Sequence, residues 1–215
     1  MTEIEKRAET MAERLKKRAS SLTERSQLAE VCILLIDTSG SMEEAVKSGE
    51  TKMMVVKRSI PFLEARGSWV GYGVVGFGSS AYPVQSLTTS FQNVMIHVDY
   101  LQGEGMTNIP QALRLGREMM KDRETEKKRM ILLSDGASNC EREKMDGEIQ
   151  SCVDQQVVVD TLAFGDHADE GLLKSIAERT GGIYQKVDSP LQLQQAYENL
   201  NYQVRYLENK NGGGR

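Results

Sequence analysis

The stretch Ile33-Leu34-Leu35-Ile36-Asp37-Thr38-Ser39-Gly40-Ser41-Met42 decides how the rest of the chain is read. An unbroken apolar run ends abruptly in an acid, three hydroxyls and a glycine. The apolar half has the pattern of a strand buried on both faces, as in parallel sheets covered by helices. The polar half then falls just past the strand's C-terminal end. Open α/β sheets bind their ligands there, where strand order reverses. Asp and Ser at alternating positions present hard oxygens, which suit Mg²⁺, Mn²⁺ or Ca²⁺ rather than zinc.

Working outward, the chain alternates. Strands are expected at 30–36, 70–77, 82–87, 130–133, 157–164 and 183–187. Pro83 marks the third as an edge strand, hairpin partner of the second. Between them lie helical stretches. Residues 43–65 carry Val46, Met53, Val56, Ile60 and Leu63 on one face, and residues 91–101 repeat the spacing. Gly103-Glu104-Gly105-Met106-Thr107-Asn108-Ile109-Pro110 is a Gly-punctuated loop that opens a helix, with Thr107 or Asn108 as cap and Pro110 in the first turn. A short helix is expected within 141–153, another over 169–179 and a last one from Pro190 to about 207. The order predicts an α/β fold: a doubly wound, mostly parallel six-stranded sheet, helices on both faces, one short antiparallel edge strand. The charged run Lys121–Arg129 reads as a solvated turn.

The flanks read differently. Residues 1–29 contain no Gly or Pro, and Ile4, Ala8, Met11, Leu15 and Leu22 make one stripe. They predict an extra N-terminal amphipathic helix that packs on the body, or an arm for a partner or for self-association. The body is expected to span 30–208. The Gly-rich stretch 209–215 is expected to be a disordered tail.

The totals bound the function. A length of 215 residues suits one domain with an appendage, and 39% apolar with 27% charged residues is ordinary for a globular protein. A net charge of −4 argues against general nucleic-acid binding. No signal peptide and no membrane-spanning run are visible, so a cytoplasmic location without membrane association is expected. Cys32, Cys140 and Cys152 match no zinc spacing and are expected as free thiols.

Three stretches share the chemistry of the first. Asp37, Ser39 and Ser41 follow the first strand, Thr107 sits in the Gly-punctuated loop, and Asp135 follows the fourth strand in Ser134-Asp135-Gly136. If strands one and four flank the reversal, Asp37 and Asp135 face each other, and two buried like charges need a cation or proton between them.

Asp37-x-Ser39-x-Ser41, then Thr107, then Asp135 resembles the metal-ion-dependent adhesion site of von Willebrand factor A domains. The resemblance covers roughly residues 30–207 and extends to Leu132-Leu133-Ser134-Asp135-Gly136 and to Ala177-Glu178-Arg179-Thr180-Gly181-Gly182. It implies that Ser39 and Ser41 ligate a divalent ion through their hydroxyls. Thr107 would bind directly or through water, and Asp37 and Asp135 largely through bridging waters. An ion so weakly neutralised keeps an open position for a partner's carboxylate. The implied function is a metal-dependent protein-binding module, not an enzyme, with Mg²⁺ as first choice and Mn²⁺ or Ca²⁺ as substitutes. The family also implies partners in ATP-driven or stress-response assemblies.

Two alternatives compete. Asp37 could be the phosphoryl acceptor of a Mg²⁺-dependent phosphohydrolase. The haloacid-dehalogenase arrangement, however, has an acid two residues on, where this chain has Ser39, and no lysine is expected near the site. No Gly-x-x-x-x-Gly-Lys loop occurs, and His97 and His167 are expected at the surface. Alternatively, the chain is a structural scaffold that acts through residues 1–29.

Overall fold

The computed structural model describes residues 30–66, 70–121 and 127–211. The helix expected over residues 1–29 and the last residues of the expected tail lie outside these.

Six strands form one sheet: β1 (Glu30–Asp37), β2 (Val70–Phe77), β3 (Ala81–Thr88), β4 (Lys127–Ser134), β5 (Val157–Phe164) and β6 (Tyr184–Val187). Their spatial order is β3-β2-β1-β4-β5-β6. All pairs are parallel except β2–β3, which is antiparallel and puts Pro83 on the edge. The order runs outward from β1 in both directions, so the reversal lies between β1 and β4.

The apolar residues of β1 alternate between two cores. Cys32, Leu34 and Ile36 face one, built with α1 (Lys52–Ser59), α2 (Phe91–Val98) and α6 (Pro190–Asn211). Val31, Ile33 and Leu35 face the other, built with α3 (Ile109–Met120), α4 (Met145–Asp154) and α5 (Glu170–Thr180). The six apolar residues Val31–Ile36 are each at most 2% exposed, which is why this run shows no polar alternation. No disulfide joins Cys32, Cys140 or Cys152 among the described residues. No described helix is long and apolar enough to cross a membrane.

The expected helix over 43–65 is corrected. A 3-10 turn covers Gly40–Glu43, α1 begins only at Lys52, and a further 3-10 segment covers Ile60–Arg66. Between them the chain folds back on itself, with Val46 N donating to Glu50 O at 2.8 Å and Lys52 N to Glu44 O at 3.0 Å. Gly49 takes a left-handed φ of 86°, and Thr51 caps α1 through Met54 N. Local turn chemistry therefore wins over an apolar periodicity that continues across it. β4 also starts three residues early, at Lys127, because its N-terminal end pairs with Glu30 of β1. The last helix continues through Asn211, into the stretch expected as tail.

Helix starts follow their caps. Asn108, rather than Thr107, caps α3 by accepting from Gln111 N at 3.1 Å. Asp169 caps α5 by accepting from Leu172 N at 3.0 Å. Asp169→Ala is expected to lower stability by about 1 kcal/mol, measured as a shift in the urea midpoint at constant slope.

Candidate functional site

The strand ends at the reversal place the oxygen-bearing residues. Asp37 is the last residue of β1 and is fully buried. Its Oδ1 accepts from Ser39 N at 2.8 Å, which bends the chain into the 3-10 turn that carries Ser41. Its Oδ2 accepts from Ser134 Oγ at 2.5 Å, across the β1–β4 seam. Ser41 Oγ donates to Asp135 Oδ1 at 2.8 Å, and the Ser39 and Ser41 hydroxyls are 3.0 Å apart. With the Ser41 proton committed to Asp135, Ser39 is the donor to Ser41.

Thr107 reaches the same corner by backbone lacing. Glu104 N donates to Thr38 O at 2.6 Å, and Gly40 N to Gly105 O at 3.1 Å. A Cβ at Gly103 would stand 2.9 Å from Ser39 O, so only glycine permits this approach. From the other side, Asn139 Oδ1 accepts from Thr107 N at 2.9 Å, and Asn139 N donates back to Thr107 O at 3.1 Å. A Cβ built on Gly136 would lie 3.6 Å from Thr107 Oγ1 and 4.0 Å from Ser41 Oγ. The two hydroxyls thus look onto one small space that Gly136 leaves open. All five expected residues, Asp37, Ser39, Ser41, Thr107 and Asp135, meet here.

One expectation fails. A lysine does stand at the site: Lys52 Nζ donates to Asp135 Oδ2 at 2.7 Å and to Glu44 Oε2 at 2.6 Å. Lys52 is the first residue of α1, and the reversal of the Glu44–Thr51 loop brings it there. Ser134 and Asn139 also escaped notice as site residues. Ser134 had a signal, since it is the hydroxyl that closes the apolar run Met130–Leu133.

The electrostatics follow from burial. Burial pushes the Asp37 carboxyl up to about 6, against the hydrogen bonds from Ser134 and Ser39, which favour its ionised form. Burial alone would lower the Lys52 ammonium, but its bonds to Asp135 and Glu44 outweigh that and raise it. Lys52 therefore stands as a cation beside Asp135.

Among the described residues, no three His, Cys, Asp or Glu side chains converge as a metal cage. The set at this corner is instead three hydroxyls and two carboxylates. Such hard oxygens, with neutral hydroxyls outnumbering the carboxylates, suit an ion that keeps part of its water shell, and this is the habit of Mg²⁺. Both histidines are at the surface, as expected.

A doubly wound α/β domain with an oxygen-lined corner at its switch point defines the class. The particular family follows from comparison: the chain belongs to the von Willebrand factor type A domain family, whose pattern matches residues 32–199. Such domains typically serve as adhesion or protein-interaction modules. The chain is 26% identical over 200 residues to inter-alpha-trypsin inhibitor heavy chain H3 of Mesocricetus auratus, covering 82% of this chain and 22% of that protein. More widely, it spans 22% to 61% of the length of the curated relatives it matches. Among solved structures it is similar to a von Willebrand factor type A protein from Catenulispora acidiphila, with a TM-score of 0.72, 22% identity, and coverage of 80% of this chain and 42% of that one. It is also similar to the conserved hypothetical protein BatB from Bacteroides thetaiotaomicron, with a TM-score of 0.70, 19% identity, and coverage of 82% and 99%.

Proposed function

We propose that this corner holds a divalent cation, Mg²⁺ by preference, and that the held ion receives a carboxylate from a protein partner. The observation that carries this reading is the convergence itself. Ser39, Ser41 and Asp135 form one hydrogen-bonded chain, Asp37 braces it from the β1–β4 seam, and the Thr107 hydroxyl faces it across the gap at Gly136. Ser39, Ser41 and Thr107 would hold the ion. Asp37 and Asp135 would fix those hydroxyls and supply the balancing charge. The ion supplies Lewis acidity toward an incoming carboxylate. Hydroxyl ligands leave most of that charge unquenched.

The surrounding face favours a protein as ligand. Tyr82, near the start of β3, and Tyr100 and Met106, on loops beside the site, are exposed. A cleft of about 380 Å³, lined by Thr38, Ser79, Tyr82, Tyr100 and Glu104, opens next to it. Exposed aromatic and Met side chains around a polar anchor are usual at interfaces. The phosphohydrolase reading is disfavoured by Asp37 itself. Both of its oxygens are engaged, by Ser39 N and Ser134 Oγ, and neither reaches solvent.

Titration calorimetry with MgCl₂ tests the reading. The wild-type chain is expected to bind one ion, and Ser39→Ala is expected to weaken binding by about 10–100-fold or more without unfolding. Equal affinity in wild type, Ser39→Ala and Thr107→Ala would overturn it.

A further inference from the structure

Lys52 stands at the corner but neither holds the expected ion nor braces the hydroxyls. It is fixed from outside the hydroxyl chain. Its side chain is 9% exposed, and its backbone N–H is tied to Glu44 O at 3.0 Å by the reversed loop. Its ammonium sits between two acids of opposite character. Asp135 is fully buried, whereas Glu44 is 57% exposed in its side chain. The two oxygens of Asp135 are divided: Oδ1 accepts from Ser41 and Oδ2 from Lys52. One face of the carboxylate thus belongs to the hydroxyl chain and the other to a resident cation.

This division has an electrostatic consequence. A divalent ion beside the Ser39 and Ser41 hydroxyls faces a carboxylate that an ammonium has already partly neutralised. The same ammonium would repel a cation held beside those hydroxyls through mostly buried space, where screening is weak. Glu44, at the solvent side, shares the ammonium and so limits how much of its charge Asp135 feels.

We propose that Lys52 is a built-in counter-cation of Asp135 that holds the metal affinity of this corner down, and that Glu44 sets how strongly it does so. This rests on the reading of the corner as a divalent-cation site. It adds that the site is tuned to release its ion readily and to leave the ion under-neutralised when loaded. Lys52 is a positioning and charge-setting residue, not a ligand.

Two variants read the proposal in opposite directions by calorimetric titration with MgCl₂ or MnCl₂ alone. Lys52→Met keeps the length and apolar stem of the side chain. It is expected to bind the ion at least tenfold more tightly than wild type, with a larger rise in Tm on metal addition. Glu44→Gln, at an exposed position that tolerates change, leaves the ammonium to Asp135 alone. It is expected to bind the ion several-fold more weakly. In the Lys52→Met background Glu44→Gln should then have little effect, because Glu44 acts through Lys52. If wild type binds the ion and Lys52→Met binds equally or more weakly, Lys52 is only a structural strut and the proposal is overturned. A Glu44→Gln effect of equal size with and without Lys52 also overturns it. If neither wild type nor Lys52→Met binds either ion, the metal reading itself fails and takes this one with it.

Discussion

In Asp37→Asn, stability and metal binding are expected to move in opposite directions. Asp37 is fully buried, and its carboxyl is lifted from 3.8 to about 6 by that burial. Near pH 7 it is nevertheless ionised, so the metal-free fold carries a desolvated charge. Lifting the pKa by that much corresponds to at most about 3 kcal/mol. Asparagine keeps the shape and both contacts, with its oxygen accepting from Ser39 N and its amide donating to Ser134 Oγ. The variant should therefore be more stable than wild type in EDTA at pH 7, by up to about that amount. Magnesium affinity should fall sharply, because the charge that offsets the ion is gone.

The pH dependence carries the same sign. The folded protein binds the Asp37 proton more tightly than the unfolded chain does. Stability of the metal-free wild type therefore falls as pH rises from about 4 to about 6, and stays lower above. Asp37→Asn should abolish this component. Urea denaturation in EDTA at pH 5 and pH 7 measures both effects. Loss of stability in Asp37→Asn at pH 7 would show that the carboxylate contributes more to the metal-free fold than its burial costs.

The second large effect lies far from the corner. Gly182→Ala is expected to destabilise the fold by about 3 kcal/mol or more. A Cβ there would stand 2.1 Å from Val159 O, 2.6 Å from Val159 C and 3.0 Å from Asp160 N, all backbone atoms of β5. No rotamer can relieve such a clash, and the strand entry must move. That entry also carries Thr161 N to Ile183 O at 2.8 Å and Ile183 N to Asp160 Oδ1 at 3.0 Å, so the β5–β6 pairing would loosen with it. The adjacent Gly181 is the control. It has a φ of 73° with open space around it, so Gly181→Ala should cost only about 1–2 kcal/mol, for backbone conformation alone. A urea midpoint for Gly182→Ala no lower than that for Gly181→Ala would refute the clash.

Much of this was legible in the chain, and the remainder has physical reasons. Asp37, Ser39, Ser41 and Asp135 could be gathered because the C-terminal ends of neighbouring parallel strands converge, whereas Thr107, which sits in a loop, was added by the resemblance to a known motif. The neighbouring of β1 and β4 follows from the same winding. Lys52 was hidden because its contact with Asp135 depends on a tertiary event, the closure of the Glu44–Thr51 loop. The apolar residues Val46, Met53, Val56 and Ile60 kept helical spacing across that loop. Gly49 and Thr51 were the local signs against a continuous helix, one with a left-handed φ and one as a cap. Ser134 was quoted within its stretch, but its bond to Asp37 depends on the β1–β4 register.

The central place of β1 also governs when the domain comes into being. Asp37 and Ser134, bonded across the seam, lie 97 residues apart in the chain. A ribosome adding about 5–20 residues per second delivers the fourth strand roughly 5–20 s after the first. For that interval Ile33–Ile36 has a pairing edge unmet, and an apolar strand edge is the kind of segment that chaperones shield and that aggregates when left unshielded. In refolding from denaturant, the same span makes the seam a long-range closure, and such closures slow folding. Asp37 reaches Ser134 and Asp135 only after β4 has docked, so the proposed cation site can form only after collapse of the N-terminal half of the sheet.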